Sequence, residues 1–128
     1  MASKPKANPR PLQLRDWKPP LMVVWDTNVF GAVVTVSLGL VSVSPEGDVI
    51  VDNVAPTLNG IPAVQTSPDL GPPIAASLTY DAGVAKLALT FADEPEAGAV
   101  IVYPPYDPAV RTSGGGYVAP TALPLTIV

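Results

Sequence analysis

The sequence predicts an all-β protein, a small β-sandwich or β-barrel with loops rich in proline and glycine and an extended N-terminal arm. Seventeen prolines in 128 residues argue against any helix longer than two turns, and the apolar fraction of 48% is too high for a disordered chain. Several segments also alternate apolar and polar residues with a period of two, which is typical of half-buried strands. We therefore divide the chain into an arm, residues 1–20, and a β-domain, residues 21–128.

The arm is basic and rich in proline, whereas the rest of the chain is acidic. Residues 1–18 carry five of the seven cations and one carboxylate, a net charge of +4, and the remainder has a net charge of −8. Such a terminal block is typical of a solvated tail or an interaction arm, and the acidic body makes nucleic acid a poor partner for the domain. As an interaction arm, it would bind a partner through Lys4, Lys6, Arg10, Arg15, Trp17 and Lys18.

The first part of the domain predicts a short strand, a turn and then a hairpin. Residues 21–25 are apolar and are followed by the turn formers of residues 26–28. Residues 34–43 alternate, but the phase of the alternation shifts beside Gly39, which indicates a β-bulge or a corner. Residues 44–48, with a proline and a glycine, predict the turn that closes the hairpin.

The most regular pattern lies between residues 74 and 103 and predicts a three-stranded β-meander. Residues 74–80 and 85–91 alternate on either side of a loop at residues 81–83, and residues 99–103 form a β-branched run. One face of this hairpin is expected to pack on the core through Leu78, Tyr80, Leu87, Leu89 and Phe91.

Two segments are less regular. Residues 52–73 contain five prolines, and we expect a long loop there that packs against a neighbour, with one or two short strands around Leu58 or residues 63–64. The apolar end of the chain, residues 125–128, is expected to pair with a sheet edge, because it is poorly suited to exposure to water.

The composition argues against an enzyme and predicts no cofactor and no metal. The chain has no histidine and no cysteine, which removes the commonest general base and the commonest nucleophilic pairs. The carboxylates of residues 93–96 could in principle bind Ca²⁺, but they lack the spacing of a known calcium loop and fit a solvated hairpin tip better. Residues 113–117 lack the lysine of a phosphate loop and fit a hairpin loop. No apolar run is long enough to span a membrane, so no membrane partner is expected.

A small acidic β-domain without cysteine or histidine, with a basic arm and an apolar C-terminal end, resembles the minor and decoration proteins of tailed-phage virions. The resemblance implies a non-enzymatic structural protein located in the virion, where it stabilises or decorates the capsid. Its partners would be capsid or other virion subunits, it would form a homo-oligomer or symmetric assembly, and it would have no small-molecule substrate. The alternative is a cell-surface or secreted β-sandwich that binds glycan or protein, in which Trp17 and Trp25 could stack on sugars.

Overall fold

The computed structural model describes residues 22–127, and within that range the chain forms ten β-strands and no helix. This confirms the predicted all-β class. The strands are β1 (Met22–Phe30), β2 (Val33–Val43), β3 (Val49–Asp52), β4 (Thr57–Leu58), β5 (Gln65–Ser67), β6 (Ala75–Asp81), β7 (Val84–Thr90), β8 (Val100–Tyr103), β9 (Val110–Arg111) and β10 (Thr121–Pro124).

Two antiparallel sheets form a small β-sandwich. The main sheet has the order β1-β2-β7-β6, with β3 paired to the far end of β2, and the second sheet has the order β10-β8-β5. A short β4-β9 pair forms a third sheet. Alternate residues of β2 and β7 are buried in one core cluster, which contains Val36 and Leu87 of the main sheet and Ile101 of the second sheet. The period-two pattern therefore predicted the buried faces of β2 and β7 correctly.

The β6–β7 hairpin has a tighter turn than the sequence predicted. Asp81 pairs with Val84, so the loop consists of Ala82 and Gly83 alone, and both have positive φ. This is the conformation of the two-residue turns that match the twist of a hairpin. The predicted core face is confirmed for Leu87, Leu89 and Phe91, which are buried, and for Leu78, which packs against the core while half-buried. It is wrong for Tyr80, which is half exposed on edge strand β6 and donates a hydrogen bond from its hydroxyl to the Pro56 carbonyl.

The predicted three-stranded meander is wrong at its third strand. Strand β8 forms, but it pairs with β10 and β5 in the second sheet rather than with β7. The edge of β7 that β8 would need is occupied by β2. The chain therefore crosses from one sheet to the other through the acidic loop at residues 93–98.

Strand β1 is also longer than predicted. Residues 26–28 continue β1 instead of turning, and the chain reverses at Gly31, which has positive φ. Thr27 is buried, and its hydroxyl donates to the Pro124 carbonyl and accepts from the Thr126 amide. A tertiary contact therefore overrides the local turn preference of these residues.

The bulge expected beside Gly39 lies on the neighbouring strand. The pairing of β1 with β2 shifts at Trp25, which is the extra residue between Val24 and Asp26, whereas β2 continues in register through Gly39. The predicted turn at residues 44–48 is confirmed, with the Gly47 amide donating to the Ser44 carbonyl and Gly47 at positive φ.

The proline-rich segment, residues 52–73, packs against its own chain. It contains β4 and β5, which pair with β9 and β8, and it buries Val54 and Val64 in the core. The expected short strand at Leu58 is confirmed, and the second begins at Gln65. The structure shows packing of this segment within the sandwich, and its packing against a neighbour stays a prediction.

The C-terminal segment, residues 117–127, closes the sandwich along β1. Met22 bridges to Val118 and Val29 bridges to Ile127, both in parallel orientation. Between these bridges, β10 pairs with β8 of the second sheet. The expected pairing of the apolar end with a sheet edge is confirmed for Ile127.

Candidate partner-binding surface

The side chains predicted to bind a partner, Lys4, Lys6, Arg10, Arg15, Trp17 and Lys18, lie outside the described residues 22–127. Their role stays a prediction. The structure does describe the surface next to the point where this arm joins the domain, at Met22.

The end of the β2–β3 hairpin presents an exposed apolar face. Val41 pairs with Val51 and Val43 pairs with Val49, so the four side chains lie on one face, which we call the valine face. All four are between 43% and 70% exposed. This part of β2 extends beyond its pairings with β1 and β7, which end at Leu40 and Leu38. Among the described strands, β3 alone accompanies it.

Gly39 and Trp25 extend the valine face toward the sandwich. Gly39 lies on the same side of β2 as Val41 and Val43, and a Cβ placed on it would lie 2.5 Å from Val51 Cγ1 and 3.2 Å from Trp25 Nε1. The absence of a side chain at Gly39 therefore lets Val51 and the half-exposed Trp25 come together. The sequence predicted a bulge or a corner beside Gly39. The structure shows that the bulge is at Trp25, and that Gly39 leaves space for the side chains of Trp25 and Val51.

Carboxylates stand at both ends of the hairpin. Glu46 and Asp48 lie in its turn, Asp52 ends β3, and Asp26 follows the bulge at its base; all four are exposed. The hairpin, residues 40–52, contains no lysine and no arginine. Asp52 pairs with Leu40, so it lies on the side of the hairpin opposite the four valines. The hairpin as a whole combines exposed aliphatic side chains with carboxylates, which suits a partner segment that carries both apolar and cationic side chains.

Arg111, one of the two cations of the acidic body, is held within its own loop. Its guanidinium lies 4.3 Å from the centroid of the Tyr117 ring and donates to the Gly115 carbonyl. Arg111 and Tyr117 also form an antiparallel bridge, which confirms the predicted hairpin loop at residues 113–117. These contacts give the loop a fixed shape and assign the arginine a structural role.

Asp107 organises the loop before β9. Its two carboxylate oxygens accept from the amides of Ala63 and Ala109, at 2.8 and 2.9 Å. Nearby Tyr103 is only 2% exposed, and its hydroxyl has no hydrogen-bond partner among residues 22–127. Burial, and then the negative charge of Asp107, raise the pKa of Tyr103 well above its ordinary value.

Tyr103→Phe is expected to leave stability at neutral pH unchanged or raised, because it removes a buried hydroxyl that lacks a partner. Above about pH 10, Tyr103 ionises in the unfolded chain but stays protonated in the folded one, so the unfolded state binds fewer protons and wild-type stability falls as pH rises. The Tyr103→Phe variant has no hydroxyl to ionise at this position, so its free energy of unfolding should fall less over the same pH range. Urea titrations between pH 7 and pH 11 measure the difference, and parallel curves for the two proteins would contradict the assignment.

A shallow depression of about 230 Å³ lies on the proline-rich segment. It is lined by Ala63, Val64, Gln65, Asp69, Gly71 and Pro72. The Asp69 carboxylate already accepts from the Gly71 amide, and the volume is below that of ordinary ligand sites. Within residues 22–127 no group of three or more acidic, histidine or cysteine side chains could hold a metal ion, and no helix could cross a membrane. The valine face remains the candidate site.

Comparison of the chain with protein families, with curated proteins and with solved structures finds no match. Its function is therefore inferred from its own surface, charge and fold.

Proposed function

We propose that this chain is a non-enzymatic structural protein of a virion, which decorates or stabilises a phage capsid through its basic arm and its β-domain. The observation that carries the proposal is the exposed valine face, on a hairpin that has three carboxylates and no cation. An exposed aliphatic surface on a paired strand end is a common mark of a protein–protein contact. It lies beside Met22, where the basic arm joins the domain.

The division of charge supports an assembly role. The arm carries +4 and the rest of the chain −8, so the arm of one subunit is attracted to the body of another, while two bodies repel each other. An extended arm adds contact area without a core of its own, and repetition over a symmetric shell multiplies each small contact. A chain without histidine or cysteine suits such a role because it requires no reactive side chain.

Deletion of residues 1–18 is expected to abolish binding to capsids while it shifts the melting temperature of the domain very little. The physical reason is that the arm supplies the cations and Trp17, whereas the core is built from β2, β7 and β8. Co-sedimentation of the protein with purified capsids measures binding, and thermal unfolding measures the domain.

A control variant keeps the arm at full length and replaces its five cations with glutamine. It should bind at least tenfold more weakly than the wild type if charge carries the contact. Undiminished capsid binding by the deletion variant would assign the interface to the domain surface. Retained binding to carbohydrate, without co-sedimentation with capsids, would favour the glycan-binding sandwich instead.

A further inference from the structure

The main sheet has an outer face, on the side away from the core, that consists mainly of short side chains. On β2 and β7 the residues that alternate with the core positions are half-buried, apart from one buried serine, and they are Val33, Thr35, Ser37, Lys86, Ala88 and Thr90. Only Lys86 among them is longer than valine or threonine. A flat face of this kind can lie close against a second sheet.

Exposed apolar side chains stand at both ends of the outer face. Phe30 pairs with Val33 at one end and is 80% exposed. At the other end Val41 and Val43 continue the same side of β2, so the valine face is an extension of the outer face. Exposed apolar surface of this extent is typical of a protein–protein contact.

One row of residues across the outer face carries both signs of charge. Asp26 pairs with Ser37, and Ser37 pairs with Lys86, so the carboxylate and the ammonium group belong to the strands on either side of β2. Their backbone positions are two strand spacings apart, roughly 10 Å. Asp26 is exposed and Lys86 is half-buried. A matching partner presents a cation opposite Asp26 and a carboxylate opposite Lys86.

A second copy of this chain presents that arrangement. A two-fold axis that runs along β2 through Ser37 lays two outer faces together and brings Asp26 of each copy over Lys86 of the other. An axis across the strands would instead place Asp26 over Asp26 and Lys86 over Lys86. The favoured arrangement keeps the strands of the two copies aligned to within roughly 30°, which is the common packing of two sheets.

The size of the outer face indicates a weak contact. Four strands about 4.8 Å apart and seven residues long, the length of β7, cover roughly 450 Å². Two copies would together bury about twice this area, which is close to the lower limit for specific interfaces. The acidic bodies also repel each other at long range, but physiological salt screens charges more than about 8 Å apart.

We propose that the outer face of the main sheet binds the outer face of a second copy, with two Asp26–Lys86 ion pairs between the copies. The inference rests on the proposed assembly function and names the neighbour of the β-domain. Lys86 supplies the cation because Arg111, the other cation of the acidic body, is held within its own loop.

Sedimentation equilibrium of the full-length protein at physiological salt tests the inference without any capsid. The wild type is expected to dimerise with a Kd between about 10 μM and 1 mM. Asp26→Lys and Lys86→Glu should each weaken dimerisation at least tenfold, because each creates two like-charge contacts in the dimer. The matched control, Glu96→Lys, makes the same charge change as Asp26→Lys at an exposed position in the loop before β8, and it should dimerise as the wild type does.

A mixing experiment decides whether Asp26 and Lys86 meet across the dimer. An equimolar mixture of Asp26→Lys with Lys86→Glu should form a one-to-one complex, because each like-charge contact becomes an opposite-charge contact when the two variants meet. The double variant Asp26→Lys/Lys86→Glu should dimerise as the wild type does, for the same reason.

Three results would overturn the inference: a wild type that stays monomeric at about 1 mM, single variants that dimerise as tightly as the wild type, or a mixture and a double variant that stay monomeric. None of these measurements involves the capsid. The co-sedimentation of the wild type with capsids is therefore judged separately.

Discussion

Leu89→Ala is expected to lower the free energy of unfolding by about 2–5 kcal/mol. Leu89 lies at the centre of β7, has no exposed surface, and pairs with Val34 on one side and Ala76 on the other. Truncation removes apolar burial and leaves a cavity between the sheets, and the two neighbouring strands prevent β7 from collapsing into it. Urea unfolding followed by tryptophan fluorescence measures the change.

Ile74→Ala provides the matched control. The sequence places Ile74 in the same alternating pattern as Leu78, yet it is 61% exposed just before β6 begins. Its truncation should cost less than about 0.5 kcal/mol, as for ordinary surface positions. Equal losses for the two variants would show that the core does not lie on the face of β7 that carries Leu89.

Gly39→Ala is expected to destabilise the protein by about 1–3 kcal/mol, the usual cost of adding a group where no space exists. The new methyl group would lie 2.5 Å from Val51 Cγ1 and 3.0 Å from the backbone oxygen of Asp52. Ordinary strand propensity predicts the opposite sign, because alanine is better than glycine in a strand interior. Urea unfolding of Gly39→Ala therefore distinguishes the two effects. A loss of stability indicates the close contacts with Val51 and Asp52, and a gain indicates strand propensity.

Val51→Ala should relieve part of this cost, since it removes the nearest atom while the Asp52 oxygen remains. In that background the cost of Gly39→Ala is expected to be smaller by about 1 kcal/mol, a coupling typical of residues in contact. Purely additive effects would mean that Gly39 and Val51 do not meet at the base of the valine face.

The parts of the fold that the sequence predicted are those in which one strand's own alternation decides burial. The buried sets of β2 and β7 follow the alternation of those strands, and the β2–β3 turn and the β6–β7 pairing depend on contacts close in sequence. The errors arose where a segment distant in sequence determines the extent or the pairing of a strand. Residues 26–28 remain in β1 because Thr27 hydrogen bonds to Pro124, and β8 joins the second sheet because β2 already occupies the edge of β7.

For the same reason, the sequence predicted only part of the candidate site. The alternation around Val41 and Val43 predicted a hairpin, but it could not tell an exposed apolar face from a buried one. Exposure depends on where β1 and β7 stop pairing with β2, which is a property of the whole sheet. The carboxylates of residues 46, 48 and 52 are isolated in the sequence, and the hairpin places them at its two ends.

The attachment of residues 117–127 to β1 has a consequence for synthesis on the ribosome. Thr27 and Pro124 are 97 residues apart, so the outer edge of β1 has emerged long before the segment that covers it. At ordinary rates of translation this interval is roughly 5 to 20 s. During that time the nascent chain can complete its local hairpins, but it carries an apolar strand edge open to other nascent chains. Misassembly during synthesis would therefore start at this edge of β1.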